Sequence, residues 1–121
     1  MKEAAWVKEF SAAITVCDES GIILEMNDRS CATFAADGGA GLIGKNLYDC
    51  HPGLSREKVA TLLRTGSTNC YTIEKGGLKK LIYQAPWFGD GTYRGFVEIS
   101  IPLPEQMPHF IRESRDQANT K

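Results

Sequence analysis

The sequence predicts one mixed α+β domain, in which an antiparallel sheet carries its helices on one side. Three observations predict it. Runs of β-prone residues fall in two groups, two near the N-terminus and three near the C-terminus. Within each group the links are short and rich in glycine and aspartate, so neighbouring strands run antiparallel. Helical signals lie between the groups instead of alternating with strands, so helices pack on one side of the sheet. The chain's 121 residues suit a single domain with its own core. The domain proper is expected over 13–104, after an N-terminal helix over 1–12 and before a tail over 105–121.

Residues 1–12 have the spacing of an amphipathic helix. Trp6, Val7, Phe10 and Ala13 fall on one stripe, with Lys2, Glu3, Lys8 and Glu9 largely off it. That stripe either covers the domain's own core or packs against a second copy of the chain, and the two uses are compatible. Ile14–Cys17 and Ile22–Met26 follow as a hairpin, turned at Asp18-Glu19-Ser20-Gly21. The apolar run Ile22-Ile23-Leu24 predicts cover on both faces of its strand. Asn27 or Asp28 caps a short helix through Cys31 and Phe34. The glycine cluster from Asp37 to Gly41 ends it and reads as a loop. A short piece over 42–47 leads to Tyr48-Asp49-Cys50-His51-Pro52-Gly53.

Ser55 then caps a longer helix over 56–65, with Val59, Leu62 and Leu63 as its buried stripe and Gly66 as its stop. Three strands complete the domain. Asn69–Glu74 turns at Lys75-Gly76-Gly77, Leu78–Phe88 turns at Gly89-Asp90-Gly91, and Tyr93–Ile101 ends at Pro102 and Pro104. The tail beyond Glu105 is polar except for Met107-Pro108-His109-Phe110-Ile111.

Composition narrows the function. With 14 basic and 15 acidic residues, a net charge of −1 leaves no basic excess for nucleic acid. No charge run marks a membrane surface, and no stretch is apolar enough for a signal peptide or a spanning helix. The expected location is the cytoplasm. Cys17, Cys31, Cys50 and Cys70 form no C-x-x-C pair, so no zinc or thioredoxin-like site is indicated. In a reducing compartment Cys17, Cys31 and Cys70 are expected to pack as small apolar residues. The sequence holds no G-x-S-x-G, H-E-x-x-H or P-loop pattern, and Asp49 with His51 is too close in sequence to infer a dyad. The reading is a binding domain, not an enzyme.

In this order and length the elements resemble the PAS domain family. "AITVCDESGIILEMN" is similar to the opening PAS hairpin, closing on the asparagine that starts the first helix, Asn27. "GLIGKNLYD" is similar to the segment that leads into the later helices. "GTYRGFVEISIPL" is similar to the final strand. The likeness runs from about Phe10 to Leu103. It implies a five-stranded antiparallel sheet in the order 2-1-5-4-3, with helices closing over one face around a possible ligand. It also implies a sensory or protein-interaction role, with a signal passed to a downstream signalling protein through a flanking helix or the C-terminal end. Without an attached output module, the chain is either a stand-alone PAS protein or a piece of a larger one.

The resemblance places a ligand cavity between sheet and helices. Its expected lining is Val16, Met26, Phe34, Leu42, Leu47, Leu62, Ile73, Tyr83 and Val97, with Gln84 and Trp87 among the orienting groups; equally, these residues simply fill a core. His51 is the candidate axial ligand if the cofactor is haem. In haem-binding PAS proteins that histidine lies in the longer helix, and 56–65 contains none. For flavin, Leu47 occupies the place where light sensors carry the reactive cysteine, which leaves only non-covalent flavin open. Cys50, between Asp49 and His51, is the redox candidate. A homodimer is expected through Trp6, Val7 and Phe10 and the outer sheet face.

Overall fold

The computed structural model describes residues 4–50 and 54–114. Helix α1 is Ala5–Lys8. Strands β1, Ala13–Asp18, and β2, Ile23–Met26, follow. Helix α2, Asp28–Thr33, leads into two 3₁₀ turns, Ala35–Asp37 and Gly39–Leu42. Then come α3, Leu47–Cys50, α4, Leu54–Thr65, and strands β3, Asn69–Lys75, β4, Leu78–Gly89, and β5, Thr92–Leu103. The five strands form one antiparallel sheet in the order β2-β1-β5-β4-β3. This is the order that the resemblance implies.

Turn chemistry explains the C-terminal meander. Lys75 pairs with Leu78 across Gly76-Gly77, whose φ values are 59° and 78°. Gly89 pairs with Thr92 across Asp90-Gly91, at 52° and 79°. Two successive positive φ values match the right-handed twist of the flanking strands. Among the described residues Asp90 is the one non-glycine at positive φ, a place where aspartate is tolerated. Pro86 sits inside β4 without breaking the sheet. Pairing with β3 stops at Asn69 opposite Gln84, so Pro86 faces an open edge.

The first hairpin is closed by a side chain. Asp18 Oδ1 accepts from the backbone N–H groups of Ser20 and Ile22, both at 2.9 Å. Opposite Val16 and Cys17 the β2 strand carries a bulge, so Val16 meets Glu25 while Cys17 meets Ile23. Ile22 closes the hairpin by accepting from Asp18 N and also bridges Asn46, and Leu24 is exposed. The two-sided cover expected of Ile22-Ile23-Leu24 is therefore confined to Ile23, which is buried.

Asn27 joins three elements. Its Oδ1 accepts from Ile14 N at 2.9 Å and Ser30 N at 3.0 Å, and its Nδ2 donates to Val7 O at 3.0 Å and Ala12 O at 2.9 Å. The side chain thus caps α2, pins the start of β1 and holds the chain leaving α1. This also explains why α1 is one turn and not the expected twelve residues. Its N-cap, Ala4, supplies no capping side chain. Val7 O, which a longer helix would spend on Ser11 N–H, is engaged by Phe10 N and Asn27 instead. No residue of α1 is buried.

Helices α2 to α4 and the 3₁₀ turns lie over one face of the sheet. Cys17, Leu63 and Phe96 form the buried centre, and Leu47, Tyr48, Val59, Leu62 and Tyr93 pack against it. Tyr93 donates its hydroxyl to Leu63 O at 2.9 Å, tying β5 to α4. Helix α4 begins at Leu54, so Ser55 falls inside it and not at its cap. Gly66 ends it at φ 66°, its N–H on Leu62 O. The glycine cluster expected to be a loop instead winds into the two 3₁₀ turns. No helix among the described residues is long and apolar enough to cross a membrane.

Candidate ligand cavity

The helical cover does not fill the space above the sheet. A cavity of about 580 Å³ remains between the helices and the inner sheet face, within the range of small-molecule sites. Tyr71 and Ile73 project toward it from β3 yet stay 42% and 37% exposed. Large side chains on the inner face of a sheet are ordinarily covered, so this exposure marks an incomplete roof.

Each wall has its own source. Thr15 and Cys17 come from β1, Ile82 and Gln84 from β4, and Phe96 and Glu98 from β5. They share the face because side chains alternate along a strand. The bulge in β2 turns both Ile23 and Met26 inward although they are three residues apart. Phe34, at the C-terminal end of α2, and Leu42, in the second 3₁₀ turn, form the roof beside Leu47 of α3 and Leu62 of α4. Thr15 and Ser30 join hydroxyls across the gap between β1 and α2. Ser30 has no exposed surface, so α2 is fixed to the floor.

A polar row crosses this floor. Asn69, Gln84 and Glu98 lie side by side on β3, β4 and β5. Asn69 Nδ2 donates to Gln84 Oε1 at 3.0 Å, and Gln84 Nε2 donates to Glu98 Oε2 at 2.7 Å. Burial pushes the Tyr71 phenol above its ordinary range, and the Glu98 charge adds to the shift. The Cys17 thiol is likewise pushed up, chiefly by burial, against the lowering effect of a backbone hydrogen bond at Phe96.

Of the residues expected in the lining, Met26, Phe34, Leu42, Leu47, Leu62, Ile73 and Gln84 border the cavity; Val97 borders it too, at its place between Phe96 and Glu98, although its pair row with Val16 belongs to the opposite face. Val16 and Tyr83 do not. Val16 pairs with Val97 and Ala85 aligns beyond it, while Tyr83 pairs with Cys70 and Ile99, rows that alternate with those of the cavity face. Tyr83 is accordingly 41% exposed on the opposite face. Trp87 is not in the lining either: its indole Nε1 donates to Cys17 O at 3.0 Å. Cys17 is buried and Cys31 half-buried as expected, but Cys70 is exposed on the edge strand. His51 and the Cys50 side chain lie outside the described residues. Glu98, Thr15 and Tyr71 enter the lining without having been singled out from the sequence.

The opposite sheet face is apolar and incompletely covered: Ile14 is buried, Val16, Ala85, Val97 and Ile99 are half-buried, and Tyr83 is exposed. Val16, Val97 and Ala85 form one row, and Ile14, Ile99 and Tyr83 the next. Helix α1 covers only the margin, where Val7 shares a small groove with Ile14, Val16 and Leu24. Trp6 and Phe10 meet edge to face at 5.5 Å and remain 64% and 45% exposed.

No family model and no curated protein matches the sequence. Solved structures do match the fold. The PAS domain of an HTR-like protein from Haloarcula marismortui superposes with a TM-score of 0.60 at 21% identity, over 82% of this chain and 87% of that one. The chain has a PAS fold. The PAS domain of Bordetella pertussis BvgS matches with a TM-score of 0.60 at 23% identity, over 83% and 82% of the two chains. The Aer2 receptor of Vibrio cholerae, a dual PAS-heme oxygen sensor, matches at 0.58 and 19% identity, over 78% and 96%. In the present PAS fold, α4 lines the cavity with Val59, Leu62 and Leu63, none of which can ligate iron. Among the described residues no group of three His, Cys, Asp or Glu is placed to hold a metal ion.

Proposed function

We propose that this domain is a PAS-type sensory module that binds a small molecule between sheet and helices and works as a homodimer. The cavity of about 580 Å³ carries this reading. It combines apolar walls with a small set of oriented polar groups, the usual makeup of a ligand site. The fold also supplies a route out of it. Phe34 stands in the cavity at one end of the α2 segment, and Asn27 stands at the other, bonded to Val7 O and Ala12 O. A ligand that displaces Phe34 moves α2, and Asn27 carries that movement to the N-terminal segment, from which a downstream signalling protein would read it.

The incompletely covered apolar face supports the dimer. Contiguous apolar surface of this kind marks an interaction site, and Trp6, Val7 and Phe10 extend it. Native mass spectrometry and absorption spectroscopy of the protein as purified test the ligand. A discrete bound mass, lost when Phe34→Trp fills the cavity, is expected; no retained mass and no stabilisation by any member of a broad metabolite library would refute it. Light scattering across the micromolar range tests the dimer, and a monomer throughout would refute that part.

A further inference from the structure

The cavity's polar groups specify the charge of what it holds. Among the described residues its lining includes three carboxylates, Asp37, Asp49 and Glu98, and no lysine or arginine. Asp37 and Asp49 are exposed at the rim, whereas Glu98 is half-buried on the floor. Glu98 Oε2 accepts from Gln84 Nε2, itself held by Asn69 through Gln84 Oε1. The amide is thereby fixed with its N–H toward the carboxylate. Among the described residues Glu98 Oε1 accepts no hydrogen bond, and the single ion pair, Lys8–Asp28, lies elsewhere. A half-buried carboxylate with no cationic partner gains from pairing with a bound cation. The same cavity is lined by the rings of Phe34, Tyr71 and Phe96, whose faces attract cations.

We propose that the cavity selects a small organic cation, an amine with an apolar or aromatic body, whose nitrogen pairs with Glu98. The body occupies the apolar space under Phe34 and Leu42, and the rim carboxylates favour entry of positive charge. The same lining opposes carboxylates and phosphates, which would meet three like charges and, among the described residues, no compensating lysine or arginine. This inference rests on the ligand-binding reading above and gives it a chemical class.

Three probes of nearly one shape separate the possibilities: phenethylamine, phenethyl alcohol and phenylacetate, each titrated into the full chain and followed by amide chemical shifts. Amine binding should exceed alcohol binding by about tenfold, the gain of a charge-assisted over a neutral hydrogen bond, with phenylacetate weakest. Glu98→Gln should bring the amine down to the level of the alcohol and leave the alcohol within about twofold. Raising the salt concentration should narrow the amine's advantage in the unsubstituted protein, a readout that needs no variant. Alcohol bound as tightly as amine, or phenylacetate preferred, overturns the cation proposal while leaving a ligand cavity in place. Failure of all three probes to bind overturns both.

Discussion

Asn27→Ala removes four hydrogen bonds with one substitution. Three of them are buried, those to Ile14 N, Ser30 N and Ala12 O, and the residue itself is 5% exposed. Leaving a buried donor or acceptor without a partner costs about 1–3 kcal/mol. The space left by the amide admits water, which places each of the three near the lower end, so the expected loss is about 3 kcal/mol. For a domain of this size that corresponds to a fall in Tm of about 12 °C. Asn27→Asp separates the two halves of the joint. A carboxylate still accepts from Ile14 N and Ser30 N, but it faces Val7 O and Ala12 O with no proton to donate. It should therefore keep the α2 cap and release the N-terminal segment, at a loss of about 2 kcal/mol. Urea denaturation gives the energies, and amide exchange over residues 5–12 shows whether that segment is freed. A loss below about 1 kcal/mol for Asn27→Ala, or unchanged exchange over 5–12 in Asn27→Asp, would refute the joint and the route from cavity to N-terminus built on it.

Three further outcomes follow from local geometry. Gly95 has φ 148°, and a methyl group there would overlap Cys17 O and the Asp18 backbone; Gly95→Ala should cost at least about 2 kcal/mol in urea denaturation, and a neutral result would contradict the close strand approach. Burial holds the Cys17 thiol above its ordinary value of 9.0, so above that pH the unfolded chain releases a proton that the folded one keeps. Stability contributed by Cys17 is thus whole below about pH 9 and declines as pH rises toward the folded value; Cys17→Ala should flatten stability-against-pH curves in that range, and an unchanged slope would refute the assignment. Cys70 is exposed while Cys17 is buried, so a maleimide at neutral pH should label Cys70 first and Cys17 only on unfolding, as read by peptide mass.

Much of the fold was legible in the sequence because local chemistry dictates it. Gly76-Gly77 and Asp90-Gly91 set two hairpins, and Lys75 opposite Leu78 already places Asn69 against Gln84. The cavity face was harder. Ile14, Val16, Val97 and Ile99 are as apolar as any inward strand, so hydrophobicity alone directs Val16 to the core, whereas it belongs to the half-covered outer face. Glu98 was hidden by a register shift. The Asp90-Gly91 turn by itself would set Gln84 against Val97, but the irregularity between Trp87 and Phe88 moves Gln84 to Glu98. Gly95 permits that shift through a backbone conformation open to glycine. The length of α1 was misleading for a different reason: its stripe has helical spacing, but Asn27, far along the chain, takes the Val7 carbonyl that a longer helix needs.

In the proposed function, ligand enters between the helices and the inner sheet face. Titrating phenethyl alcohol into isotopically labelled protein and mapping the amide shifts tests it most directly. A contiguous set of shifts is expected at Thr15, Phe34, Ile82 and Phe96, with Tyr83 and Ile101 on the outer face unmoved. Shifts confined to Tyr83, Ile99 and Ile101, or none at saturating probe, would contradict it.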